Sequence, residues 1–151
     1  MALRLRKATT QDIDSIGELL QFARDESPLY FRTGYSELRV KSTLYNLMQN
    51  PTMLHIVSVD EDDKVQGYLM GDIQPDWFGL GSVAVTHIVY ARSGKGGLGL
   101  IKYFVDWAKG WKKVKKIHIP ISFGGERAER TGQLLERLGF ENVGSQYMEI
   151  L

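Results

Sequence analysis

Gly94, Gly96, Gly97 and Gly99 crowd one short stretch, Ala91-Arg92-Ser93-Gly94-Lys95-Gly96-Gly97-Leu98-Gly99-Leu100, which also carries two cations. Glycine lets backbone N–H groups turn inward and lets a ligand come close. A helix beginning just beyond would aim its unpaired N–H groups and the positive end of its dipole at the same spot. The chemistry that fits is anion binding, above all of a phosphate or pyrophosphate, with Arg92 and Lys95 adding charge. A plain flexible turn has the same composition, so the flanking elements have to decide.

Those elements are legible. The apolar run over 82–90 predicts a strand leading into the glycines. Leu100, Ile101, Phe104, Val105 and Ala108 recur at helical spacing, so the chain leaves the glycines as a helix over 98–109 that Gly110 ends. Upstream, Leu3 and Leu5 alternate with basic residues in a first short strand. Thr9 or Thr10 then caps a helix whose apolar stripe is Ile13, Ile16, Leu19, Leu20 and Ala23. An irregular link over 26–36 follows, then a second helix from Ser36 to the Asn50-Pro51 stop. Segments 53–59 and 65–73 flank an acidic turn and read as a hairpin. Beyond Gly110 come a strand over 115–121, a helix over 126–138 capped by Gly139, and a last strand region over 140–151. The order is βααβββαβαβ: a mixed α/β sheet, partly antiparallel and partly parallel, with helices on its faces and one domain over 1–151.

This order resembles the GNAT family of N-acetyltransferases. Three features carry the resemblance: the long strand running into Gly94-Lys95-Gly96-Gly97-Leu98-Gly99, the strand after the next helix, and the closing Leu134-Leu135-Glu136-Arg137-Leu138-Gly139-Phe140. The family pattern at the first is Arg/Gln-x-x-Gly-x-Gly, which binds the pyrophosphate of acetyl-CoA. The third is similar to the frequent ending Leu-Tyr-x-x-x-Gly-Phe. Two positions depart from the pattern. The Arg/Gln position falls on Gly94, with Arg92 two residues early, and Leu135 stands where a tyrosine often protonates the departing thiolate. The chain resembles a short, divergent bacterial or phage-type member.

The resemblance implies acetyl transfer from acetyl-CoA, as acyl donor, to an amine acceptor in a ternary complex. Ile88, Val89 and Tyr90 would hold the pantetheine arm and the thioester carbonyl through their backbone, and Arg92 with the residues from Gly94 to Gly99 would hold the pyrophosphate. His87, on the same strand, is the candidate base, because histidine exchanges protons near neutral pH. A packed strand histidine is the plainer account. Tyr147 on the last strand, with Tyr90 behind it, substitutes for the missing acid. Tyr30, Phe31, Arg32 and Tyr35 in the first link, and Trp77 and Phe78 before the central strand, would shape the acceptor pocket; a satellite core under a loop explains them equally. Asp72 and Asp76 could assist His87 through water. The alternatives are an acyl-CoA-binding module without catalysis and a phage-encoded interaction protein.

Composition excludes several classes. Cysteine is absent, which removes disulfides, thiolate catalysis and cysteine-ligated metals, and no His/Asp/Glu group has ligand spacing, so no metal is expected. The net charge of +1 argues against nucleic acid, although the run Lys109-Gly110-Trp111-Lys112-Lys113-Val114-Lys115-Lys116 is locally basic. A solvated helix end is the plain account of that run. No stretch has the length of a membrane span, so the expectation is a cytoplasmic protein without a membrane partner. An exposed last strand could pair in a homodimer.

Overall fold

The computed structural model describes residues 2–27, 34–121 and 126–151. The chain divides into two compact units, one formed by Met1–Leu20 with Ser36–Pro120, the other by Gln21–Tyr35 with Ile121–Leu151.

The first unit contains a five-stranded sheet in the order β1 (Arg4–Lys7), β2 (Met53–Val59), β3 (Val65–Pro75), β4 (Ser82–Ala91) and β5 (Val114–His118). The first four strands are antiparallel neighbours, and β5 lies parallel to β4. That parallel step needs a crossover, which helix α3 (Gly94–Lys109) supplies. The mixed sheet is therefore as expected. Helix α1 (Ile13–Glu26) follows a 3-10 turn at Thr10–Asp12, and α2 (Glu37–Met48) is capped by Ser36, whose Oγ accepts the Arg39 N–H. The hairpin turn between β2 and β3 closes on Asp60, which accepts the N–H groups of Asp62 and Lys64.

Both faces of β2 and β3 are buried, which explains their nearly continuous apolar sequence. On one face Leu54, Ile56, Leu69 and Ala84 pack with Leu100, Phe104 and Ala108 of α3. Gly71 is needed here: a Cβ built on it would stand 2.4 Å from the Phe104 ring. On the other face His55 and Tyr68 lie cross-sheet from one another, with His55 Nδ1 and the Tyr68 hydroxyl 2.6 Å apart. At the first strand the Arg6 guanidinium grips both oxygens of Asp12 at 2.8 and 2.9 Å, which holds the Asp12 carboxyl below its ordinary range.

Strand β4 changes parity along its length. Ala84 and Val89 both pack against the α3 face, yet they are an odd number of residues apart. Strict alternation would put them on opposite faces. The register explains this: Gly71 faces Thr86 and Met70 faces Ile88, which leaves His87 without a partner on β3. His87 is the extra residue of a β-bulge.

Besides shifts of a residue or two at the ends of α1 and β3, three features differ from the sequence reading. Helix α3 begins at Gly94 rather than 98, so the glycines form its first turns instead of a preceding loop. Glycine costs a helix stability, but here packing outweighs that cost, because Gly96 and Gly99 lie under Leu3 and Leu5 of the first strand region. Strand β5 ends at His118, short of Pro120, whose nitrogen cannot donate to a ladder. The last strand is not formed: past Gly139 the described chain has no regular element. The homodimer expected through that strand loses its basis.

In the second unit α4 (Glu126–Arg137) buries Leu135, and Arg127 reaches Glu26 at 3.6 Å. Gly139 is at φ +93°, and the N–H of Phe140 donates to the Leu135 carbonyl at 3.0 Å. This is the glycine-capped helix end that the sequence predicts.

Candidate active site

The site is built along one strand. Strand β4 pairs with β5 only from Ser82 to Val85, where Val85 faces His118. Beyond that point β5 has ended, and among the described residues no strand covers Thr86 to Val89 on that side. An edge of backbone donors and acceptors in mid-sheet is a place for an extended ligand to add itself as a strand.

The same strand then delivers the chain to the start of α3. The Arg92 N–H donates to the Gln66 carbonyl at 2.9 Å, which fixes the exit from the sheet. Ser93 is the N-cap: its Oγ accepts the Gly96 N–H at 3.2 Å, and its carbonyl accepts the Gly97 N–H at 3.1 Å. The N–H groups of Gly94 and Lys95 lie in the turn where a helix has no internal acceptors for them, at the positive end of its dipole. Arg92, Gly94 and Lys95 are exposed, and nothing lies within 4 Å of a Cβ built on Gly94. The result is an open helix N-terminus, of the kind that suits an anion. Leu98 and Gly99 lie in the helix body, where their backbone is committed to it.

The bulge sits just past the last β4–β5 pair. His87 is partly exposed there, and its Nε2 is 3.9 Å from Asp72 Oδ2. The Asp72 carboxylate is itself held: Oδ1 accepts the Thr52 hydroxyl at 2.9 Å and the Ile73 N–H at 2.8 Å. Thr52 Oγ1 is also 2.9 Å from Asn50 Oδ1. A fixed carboxylate facing an imidazole can orient the ring. The gap is too long for a direct hydrogen bond.

The other candidates distribute unevenly. Ile88 is half-buried and the Val89 side chain joins the α3-facing core, so Val89 can offer a ligand only its backbone. Tyr90 is 7% exposed and pairs across the sheet with Tyr68. Tyr147 belongs to no strand and is 95% exposed, so the placement that made it the candidate acid is not there. Trp77 and Phe78 are almost fully exposed, with little of either side chain covered by the described residues. They precede the first residue of β4, and from Ser82 to Ala91 the strand carries the chain about 30 Å toward the start of α3. Tyr30, Phe31 and Arg32 lie outside the described residues; Tyr35 is half-buried in the second unit. A hollow of about 650 Å³ lies elsewhere, between Thr10, Asp14, Lys41 and Tyr45. Its Lys41 is already held by Asp14 at 3.0 Å and Glu37 at 2.6 Å.

His55 illustrates the limits of a lone strand histidine. It is buried, and desolvation lowers its pKa, so it stays neutral in the core against Tyr68. Burial likewise raises the Tyr68 hydroxyl far above its ordinary range. The cap at Ser93 and the links from Asn50 and Thr52 to Asp72 are absent from the sequence reading, which named Asp72 itself only as a helper of His87. Ser93 had a local signal, a serine just before a helix start. The Thr52–Asp72 link had none, because these two residues lie twenty positions apart and meet only through the pairing of β2 with β3.

No protein-family model matches the sequence, and no curated protein matches it. Solved structures do match. An acetyltransferase from Trypanosoma brucei superposes with a TM-score of 0.74 at 20% identity, covering 99% of this chain and 100% of that one. A glucosamine-6-phosphate N-acetyltransferase from Arabidopsis thaliana gives 0.75 at 15% identity, covering 99% of each. This chain has the GNAT acetyltransferase fold. A protein with the same fold from Bacillus halodurans is described as a transcriptional regulator; it gives 0.78 at 15% identity over 99% of this chain and 100% of that one. The GNAT fold thus accounts for the order of the strands and the crossover into α3.

Proposed function

We propose that the protein is a GNAT N-acetyltransferase that moves an acetyl group from acetyl-CoA to an amine. The observation that carries this reading is the single line of backbone in β4, where an uncovered edge ends in a helix N-terminus. The N–H groups of Gly94 and Lys95, with the Arg92 and Lys95 side chains, would take the pyrophosphate. The edge from Thr86 to Val89 would take the pantetheine arm, and a bulge N–H the thioester oxygen. The neutral amine attacks the carbonyl carbon, a C–N bond forms, and the C–S bond breaks. The proton lost by nitrogen passes to His87, oriented by Asp72, and the thiolate takes a proton in turn. Holding the two reactants together supplies much of the rate.

Acetyl-CoA is expected to raise the melting temperature. Because the chain has no cysteine, a thiol reagent reports only the CoA released. With an accepted amine, His87→Ala should lower kcat by about tenfold or more with little change in the KM for acetyl-CoA, and Asp72→Asn by less. An unchanged melting temperature sinks the acyl-CoA reading altogether. A second reading, an acyl-CoA-binding module without turnover, is favoured by Leu135, a buried apolar side chain at the position the resemblance gives to tyrosine. It gains if acetyl-CoA stabilises the protein but no CoA is released with small amines, lysine peptides or aminoacyl acceptors.

A further inference from the structure

The turn between β3 and β4 has no role in the site described above. It presents Trp77, Phe78 and Leu80 to solvent at 94%, 97% and 106% exposure. Three large apolar side chains within four positions are not the scattered exposure of an ordinary surface. The turn is also built to hold them there. Asp76 Oδ1 accepts the Phe78 N–H at 3.2 Å, and the Asp76 N–H donates to the Gly81 carbonyl at 3.1 Å. Asp76 Oδ2 takes Lys116 Nζ at 2.9 Å. The base is closed and braced while the tip stands clear.

What surrounds the base is positive. The Ser82 N–H donates to the Lys113 carbonyl at 2.7 Å, and Gly81 lies against the Lys115 side chain. Lys109, Lys112, Lys113, Lys115 and Lys116 are exposed, and no acid interrupts residues 109–116. Asp76, the one acid of the turn, is already paired. Trp111, in the same run, is partly exposed and stacks edge-on against Trp107.

We propose that this tip and its lysines dock the protein on an anionic lipid bilayer. Trp77, Phe78 and Leu80 enter the boundary between headgroups and acyl chains, and the lysines meet the headgroup charge. The shape and charge select this partner. The tip is convex, so it needs a soft apolar phase or a ready-made pocket, and the bilayer offers depth and negative charge together. Tryptophan is at home in that boundary. A second copy meeting patch to patch would set lysine against lysine. Nucleic acid would satisfy the lysines and stack on the aromatics, but it gives Leu80 nothing. No helix among the described residues is long and apolar enough to cross a bilayer, so the contact is peripheral.

Co-sedimentation with phosphatidylcholine vesicles, with and without phosphatidylglycerol, tests this. The protein is expected to pellet with the anionic vesicles, to be released by high salt, and to stay in solution with the neutral ones. Trp77→Ser with Phe78→Ser, and separately Lys113→Glu with Lys115→Glu, should each lower vesicle binding by about tenfold or more. These side chains are exposed, so melting temperatures should stay near wild type. Brominated lipid should quench wild-type tryptophan fluorescence, and Trp77→Phe should remove most of the quenching while vesicle binding persists. The proposal is overturned if anionic vesicles do not bind, or if the Trp77/Phe78 change leaves binding intact. Tighter binding to duplex DNA or RNA than to vesicles also overturns it, as does a solution dimer that the Trp77/Phe78 change dissolves.

Discussion

Gly71→Ala perturbs the packing directly beneath the bulge. Gly71 faces Thr86 where the β3–β4 register slips around His87. A Cβ at this position would lie 2.4, 2.8 and 3.3 Å from Cε2, Cδ2 and Cζ of Phe104. Carbon atoms rest at about 3.5–4.0 Å, so ring and methyl must separate by about 1 Å or more. Phe104 has no exposed surface and packs against β2, β3 and β4, so it has nowhere to swing. Relief must come from α3 lifting off the sheet. Overpacking of this kind costs about 1–3 kcal/mol. The stiffer alanine backbone returns about 0.5–1 kcal/mol of that. The net is about 0.5–2 kcal/mol; at about 2–4 °C per kcal/mol for a chain of this length, the melting temperature should fall by roughly 1–8 °C. A double-mutant cycle isolates the contact. Phe104→Leu alone leaves a void, but it removes Cε2, the atom in closest conflict, and Cζ, so Gly71→Ala should cost about 1–2 kcal/mol less when combined with Phe104→Leu than on its own. Urea unfolding of the four proteins measures this. Strict additivity, or a Gly71→Ala protein as stable as the parent, would refute the claim that α3 is seated on this glycine. Because the start of α3 is the proposed pyrophosphate site, the single variant should also gain less stability from acetyl-CoA.

Three further outcomes follow from the same packing. Ser93→Ala strips the α3 cap and should cost about 1 kcal/mol in urea unfolding, since the Gly96 N–H loses its acceptor. Asp12→Asn breaks the two-pronged contact with Arg6 and should cost about 1–3 kcal/mol. Because the Asp12 pKa is depressed in the fold, its contribution is full above the unfolded value of about 3.9 and is lost as pH falls through the folded one. His55 has the same sign in a different window. Its folded pKa lies below the unfolded value of about 6.5, so stability should hold above that pH and decline beneath it. His55→Leu should be less stable at pH 8, where Tyr68 loses its partner, yet lose less between pH 7 and pH 5; thermal melts across that range decide.

Much of this molecule was legible in its sequence, and the reasons are local. Hydrophobic period separates the helices from the strands. Gly139 and Ser36 act within one turn of their own position, and the acidic hairpin turn closes on itself through Asp60. The order of elements then allows few sheets, and the crossover into α3 makes β5 parallel to β4. The glycine run does stand at the start of a helix, as the order of elements implied. Its conformation was misjudged because the forces holding it helical come from Leu3 and Leu5, some ninety residues away.

The site itself belongs to tertiary structure. Period alone gives β4 as one regular strand; only pairing with β3 shows that His87 is supernumerary and that Ala84 and Val89 share a face. Only the early end of β5 uncovers the β4 edge. Only strand register brings Thr52 and Asp72 together beside His87. Trp77 and Phe78 read equally well as pocket lining or satellite core until the turn is seen standing in solvent. Residues 140–151 carry enough apolar side chains to suggest a strand, but a strand exists only where a neighbour accepts its hydrogen bonds. Sequence alone settled most of the segments that turn, coil or extend, because those depend on neighbours within a few residues; the glycine run and residues 140–151 are the exceptions. Partners, faces and edges were decided by contacts between distant segments, and on them the chemistry of this chain depends.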